Sequence, residues 1–88
     1  MVKVNFLEVK IKNIEGKEIN VKVDYKDLGN ALYMNGRHII VCQIGQKIWN
    51  SDGTVELTEE EAKKLSEEIV GMYPIVIQEG LRKQLFNN

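Results

Sequence analysis

His38 and Cys42 stand four residues apart, a spacing that puts two side chains on one helix face, and a thiol beside an imidazole is the pairing that makes a nucleophile. An activated thiol needs an exposed, electropositive setting. Cys42 instead follows Ile39, Ile40 and Val41 and precedes Ile44, and these neighbours argue for burial. No serine has a histidine and an acid at a recognisable triad spacing, and the chain contains no glycine-rich phosphate loop. The expectation is a protein that is not an enzyme and has no cofactor.

A second constellation is rich in oxygen. Aligning Gly53 with the glycine of an EF-hand loop places Asn50, Asp52, Thr54 and Glu56 at ligand positions, and Glu59 where the bidentate glutamate stands. The first ligand position then falls on Ile48, which has no oxygen to offer. A degenerate calcium-loop protein is therefore a second alternative, and an ordinary turn closed by Asp52-Gly53 is the plainer reading. The carboxylates Glu59, Glu60, Glu61, Glu67 and Glu68 have lysines at helical spacing (Glu59–Lys63, Glu60–Lys64, Lys63–Glu67, Lys64–Glu68), which reads as a solvated face.

The N-terminal lysines Lys3, Lys10, Lys12, Lys17, Lys22 and Lys26 form a cationic strip, and Lys10, Lys12 and Lys22 are the residues a nucleic-acid reading would use. Interspersed acids dilute the strip. The net charge of −1 gives no bulk attraction to phosphate, so nucleic acid is the first alternative rather than the expected partner.

The elements that position these residues follow from periodicity. Val2, Val4 and Phe6 are in step; Leu7, Val9 and Ile11 take the opposite phase, so the first strand must carry a bulge near Phe6-Leu7 or let one phase dominate. A turn at Asn13–Gly16 and the alternation of Ile19, Val21 and Val23 complete a β-hairpin over 2–24. Asp27 caps a short helix over 27–34, weakened by Gly29-Asn30. Ile40, Ile44 and Ile48 recur every four residues and predict a helix over 38–50, although Arg37–Ile44 also suits a strand. Gly45 within it costs about 1 kcal/mol relative to alanine. Thr58 and Glu61 have the spacing of a capping box and open a helix over 58–70, stopped by Gly71. Pro74 opens the last helix, 74–86, in which Gln78, Glu79, Arg82 and Lys83 face water and Gly80 permits close approach of another backbone. Asn87 and Asn88 are expected to fray.

These elements predict a single small α+β domain over 1–88: an N-terminal hairpin packed on three to four short helices, the last two forming a helical hairpin. One cysteine excludes an internal disulfide and fits a reducing compartment. No leader-like apolar run and no membrane-length span occur, so a cytoplasmic location and no membrane partner are expected.

Several short stretches carry a resemblance. They are the Gly16-Lys17 turn, Asp27-Leu28-Gly29-Asn30-Ala31-Leu32-Tyr33, Lys47-Ile48-Trp49-Asn50, the run Asp52–Glu61 and the helix opened by Pro74. Over residues 17–86 the layout resembles small uncharacterised proteins of bacterial prophages and mobile elements. The resemblance implies an accessory or assembly role and supplies no catalytic residue. Combined with an unpaired strand edge, it gives the leading expectation: a non-enzymatic protein-interaction module that self-associates as a dimer, or meets an unknown protein partner, with Trp49 and Phe86 as aromatic anchors.

Overall fold

The structure is a computed structural model that describes residues 1–86; the expected fraying at Asn87-Asn88 lies outside them. The elements in order are β1 (Val2–Asn5), β2 (Val9–Lys12), β3 (Glu18–Val21), α1 (Tyr25–Asn35), α2 (Ile39–Trp49), β4 (Thr54–Leu57), α3 (Glu59–Glu68), a 3₁₀ turn (Ile69–Gly71) and α4 (Ile75–Phe86). The α+β class and the hairpin-plus-helices layout are as expected, with one addition. The strands form two antiparallel pairs, β1 with β4 and β2 with β3.

The phase change in the first strand marks a break, not a bulge. Val2, Val4 and Phe6 are buried, and a turn at residues 6–8 then lets Val9, on the other parity, reach the same core. A continuous strand would have sent one set to solvent. Phe6 ties the two pairs together. Its N–H donates to the Gly53 carbonyl at 2.8 Å, and its carbonyl accepts from Val23 N–H at 2.8 Å. The segment after Asp52-Gly53, legible only as extended, becomes β4 because β1 supplies its ladder in the register Val2–Leu57 and Val4–Val55.

Asp24, not Asp27, caps α1: the Asp24 carboxylate accepts from Asp27 N–H at 3.0 Å, and Asp27 lies in the first turn where the helix dipole favours it. The 39–49 segment is helical, which resolves the strand-or-helix choice. Its glycine explains itself in packing. α1 and α2 cross at Gly29 and Gly45, so close that a Cβ on Gly45 would lie 2.7 Å from the Gly29 carbonyl. The capping box is complete: Thr58 Oγ1 accepts from Glu61 N–H at 3.1 Å, and Glu61 Oε1 accepts from Thr58 N–H at 2.9 Å. On the outer face of α3, the ion pair formed among the described residues is Lys64–Glu67 at 3.9 Å, three residues apart rather than the expected four.

Gln78 does not face water. It is buried, and its Nε2 donates to the Tyr73 carbonyl at 2.7 Å and the Val70 carbonyl at 3.2 Å, closing the carbonyls that the 3₁₀ turn leaves open. Gly80 does allow close approach: a Cβ there would lie 2.8 Å from the Lys10 carbonyl and from Val9 Cγ1. Together, side chains of β1, β2, β4 and all four helices form one apolar cluster.

Candidate protein-interaction surface

The hairpin is closed by Ile14-Glu15-Gly16, with Gly16 at φ +81° and Asn13 N–H donating to the Lys17 carbonyl at 2.9 Å. That bond sets the parity of the ladder. Residues opposite one another alternate between hydrogen-bonded and non-bonded pairs. Ile11–Ile19 and Val9–Val21 are therefore the bonded pairs, whereas Lys10–Asn20 and Lys12–Glu18 turn their backbone groups outward. Val23 keeps the inward parity by donating to Phe6, which leaves Lys22 outward as well.

Two of the four outer strand edges are met by α4, and that of β4 is met at Thr54 alone, with outward Glu56 exposed. Along β1, Asn5 N–H donates to Gln84 Oε1 at 2.6 Å, and Gln84 Nε2 donates to the Asn5 and Glu8 carbonyls at 3.1 and 3.0 Å, a side-chain imitation of a neighbouring strand. The outward Lys10 carbonyl of β2 abuts Gly80 of α4. Thr54 N–H of β4 donates to Asp52 Oδ1 at 3.1 Å. The edge of β3 has no such cover. Glu18, Asn20 and Lys22 are exposed, and among the described residues no group bonds their outward N–H and carbonyl groups. Replacing Gln84 by alanine is expected to cost about 1–2 kcal/mol, since three hydrogen bonds to strand backbone go with it. A thermal melt checks this; an unchanged Tm contradicts it.

The fold brings Lys10, Lys12 and Lys22 to one face of the hairpin, together with Glu18 and Asn20. Lys10 and Glu18 lie 4.0 Å apart with both side chains mostly exposed, a contact worth little energetically, although Glu18 offsets one of the three lysine charges on this face. Between this face and α4 runs an open cleft of about 460 Å³ whose lining includes Lys3, Lys10 and Lys83 against Glu8 and Glu18.

Trp49 and Phe86 lie elsewhere. Trp49 is 45 % exposed at the end of α2, with Lys26 Nζ 4.7 Å above its ring and donating to its carbonyl at 2.7 Å. It borders a groove of about 270 Å³ over the Gly29–Gly45 crossing, with Tyr33 on the same groove. Phe86, 54 % exposed, lines a separate groove with Val2, Ala62 and Leu85. Neither groove includes a residue of β2 or β3, so the aromatics are not part of the hairpin surface.

The oxygen-rich stretch does not fold as one ligand loop. Asp52 holds the Thr54 N–H, Thr54 and Glu56 sit in β4 opposite Asn5 and Lys3, Asn50 follows α2, and Glu59 opens α3. Among the described residues no three His, Cys, Asp or Glu side chains converge as metal ligands would. Cys42 Sγ donates weakly to the Tyr33 and Gly36 carbonyls at 3.6 and 3.8 Å, and exposed His38 takes the N-cap position of α2 without a side-chain bond. The thiol is therefore turned to backbone carbonyls. Burial, reinforced by Asp27 and Asp24, pushes the Tyr73 hydroxyl above the usual tyrosine range and keeps it neutral.

Sequence reasoning passed over Glu18, Asn20 and Gln84. The parity of Glu18 and Asn20 was implicit in the Asn13–Lys17 turn, but which edge α4 would cover was not. Gln84 carries no local signal, because its partners lie some eighty residues away in the chain, at sequence separations of 79 and 76.

No family model, curated protein or solved structure matches this chain. The fold is thus that of a small α+β protein in which, among the described residues, β3 has the longest uncovered strand edge. Among the described residues no helix is long and apolar enough to cross a membrane.

Proposed function

We propose that the protein is a non-enzymatic interaction module that self-associates by strand addition at β3, in the accessory role that the mobile-element resemblance implies. The observation that carries this reading is the asymmetry of the edges. β1 and β2 meet α4 and β4 leaves one outward residue, Glu56, open, whereas β3 and the residue after it offer three successive outward residues, Glu18, Asn20 and Lys22, whose backbone donors and acceptors have no partner among the described residues. The lysines that would serve nucleic acid share their face with Glu18, which favours a protein partner over phosphate.

So short an edge buries less than the roughly 1,200 Å² of a stable complex, so association is weak, with a Kd on the order of 0.1 mM. Light scattering from low micromolar to millimolar concentration should show the mass rising from monomer toward dimer. Asn20→Pro removes an outward N–H while sparing the hairpin's own ladder, because the Lys10–Asn20 pair is not hydrogen-bonded. It should remain folded by circular dichroism and stay monomeric. A wild type that is monomeric at millimolar concentration, or an Asn20→Pro variant that still dimerises, overturns the reading.

A further inference from the structure

We infer that the partner's strand is β3 of a second copy, antiparallel, in the single register that is centred on Asn20. This rests on the strand-addition reading above and adds its geometry. Only residues 18, 20 and 22 present outward backbone groups, so any pairing across this edge must match these even-numbered positions with one another. Centring on Asn20 puts Glu18 opposite the partner's Lys22, Asn20 opposite the partner's Asn20, and Lys22 opposite the partner's Glu18. Each copy therefore meets an unlike charge at both ends of the contact.

The competing registers lack this match. Centring on Glu18 sets two glutamates face to face, and centring on Lys22 sets two lysines face to face, both unfavourable in directly opposed pairs. Of the two intermediate registers, one sets Glu18 opposite Asn20 and Lys22 opposite Gly16, and the other sets Lys22 opposite Asn20 and Glu18 opposite Asp24, a like charge. A slip by an odd number of residues turns the required backbone groups inward, where β2 already uses them. Side chains on the other face agree. Ile19 is 44 % exposed in the single chain, and in the Asn20-centred register it lies beside the partner's Val21, extending the apolar face of the hairpin across the junction. The stretch Glu18-Ile19-Asn20-Val21-Lys22 is thus complementary to itself when reversed.

The test is a charge swap read by sedimentation equilibrium on the full chain. Lys22→Glu should weaken dimerisation about tenfold, since two opposed pairs change from unlike to like by symmetry. Glu18→Lys should do the same, although it also removes the contact with Lys10. The double variant Glu18→Lys/Lys22→Glu restores unlike pairs and should return to within about twofold of wild type. Independently, Asn20→Cys in a Cys42→Ser background should form a disulfide-linked dimer on mild oxidation. Facing residues in a bonded pair have Cα atoms about 5.5 Å apart, within disulfide reach. A dimer that is abolished by Asn20→Pro yet indifferent to both single charge changes, or a double variant as weak as the singles, overturns this register and leaves strand addition standing. Failure of Asn20→Cys to cross-link overturns the register too. A monomeric wild type overturns both.

Discussion

Gly45→Ala is expected to destabilise the protein by about 2–3 kcal/mol, against a helix propensity that alone favours alanine by about 1 kcal/mol. The methyl group would lie 2.7 Å from the Gly29 carbonyl, 2.8 Å from Tyr33 N and 3.1 Å from Leu32 Cβ. The two nearest are backbone atoms and cannot rotate away. The contact is reciprocal: a Cβ on Gly29 would lie 2.8 Å from the Gly45 carbonyl and from Trp49 N. Relief requires α1 and α2 to separate, and that strips close contact from Leu28, Leu32, Val41, Ile44 and Ile48, all buried in the one apolar cluster. For a domain of this size the loss lowers Tm by about 10 °C or more. Gly29→Ala should behave alike, and the double variant should cost less than the sum, because one separation accommodates both methyl groups. Urea denaturation of the three variants checks this. A Gly45→Ala protein as stable as wild type would mean the helices do not cross at these glycines.

Glu61→Ala should cost about 2 kcal/mol. Glu61 is 8 % exposed, and its Oε1 accepts from Thr58 N–H at 2.9 Å and from Lys47 Nζ at 2.8 Å. One carboxylate thereby caps α3 and ties it to α2. Truncation leaves the Thr58 N–H without its partner. Glu61→Gln retains an acceptor for Thr58 but not the charge for Lys47, so its cost should be about half as large. Burial by itself raises the Glu61 pKa, but the Lys47 hydrogen bond, the Thr58 N–H and the Lys47 charge outweigh it and hold the carboxyl below its ordinary value of 4.5. A pKa depressed in the folded state means that the contribution is complete above the unfolded value and is lost as pH falls through the folded one. The stability gap between wild type and Glu61→Gln should therefore be constant from neutral pH down to about 5 and shrink below 4.5. A gap that persists unchanged in strong acid would show that the charge is not what Glu61 contributes.

The chain's own periodicity determined where its helices lie and how α3 begins. Local chemistry suffices there: Thr58 and Glu61 cap each other within one turn, and Ile40, Ile44 and Ile48 define a stripe without reference to anything distant. From Val9 onward the hairpin was equally legible, since its turn and both strands are contiguous. The calcium-like spacing at 50–59 was legible too, but as a string of oxygens; Asp52 turns to the Thr54 N–H, and the placing of Thr54 and Glu56 in β4 depends on β1 lying alongside.

What needed the tertiary structure shares one physical feature, dependence on groups remote in sequence. The phase change at Phe6-Leu7 divides one apparent strand between two sheets, because β4, some fifty residues on, competes for β1. Gln78 reads as solvent-facing, and Gln84 carries no signal, until the carbonyls at the 3₁₀ turn and the edge of β1 are brought against them. Gly45 shows the reversal most plainly. In an isolated helix it is a defect, because glycine has more backbone freedom to lose. At the crossing with Gly29 it is a requirement, because two backbones approach to a distance at which no Cβ fits. Which strand edge stays open was decided in the same way. Residue types alone make β2 and β3 equally available, and it is the packing of Gly80 against Lys10 that covers one and leaves the other open.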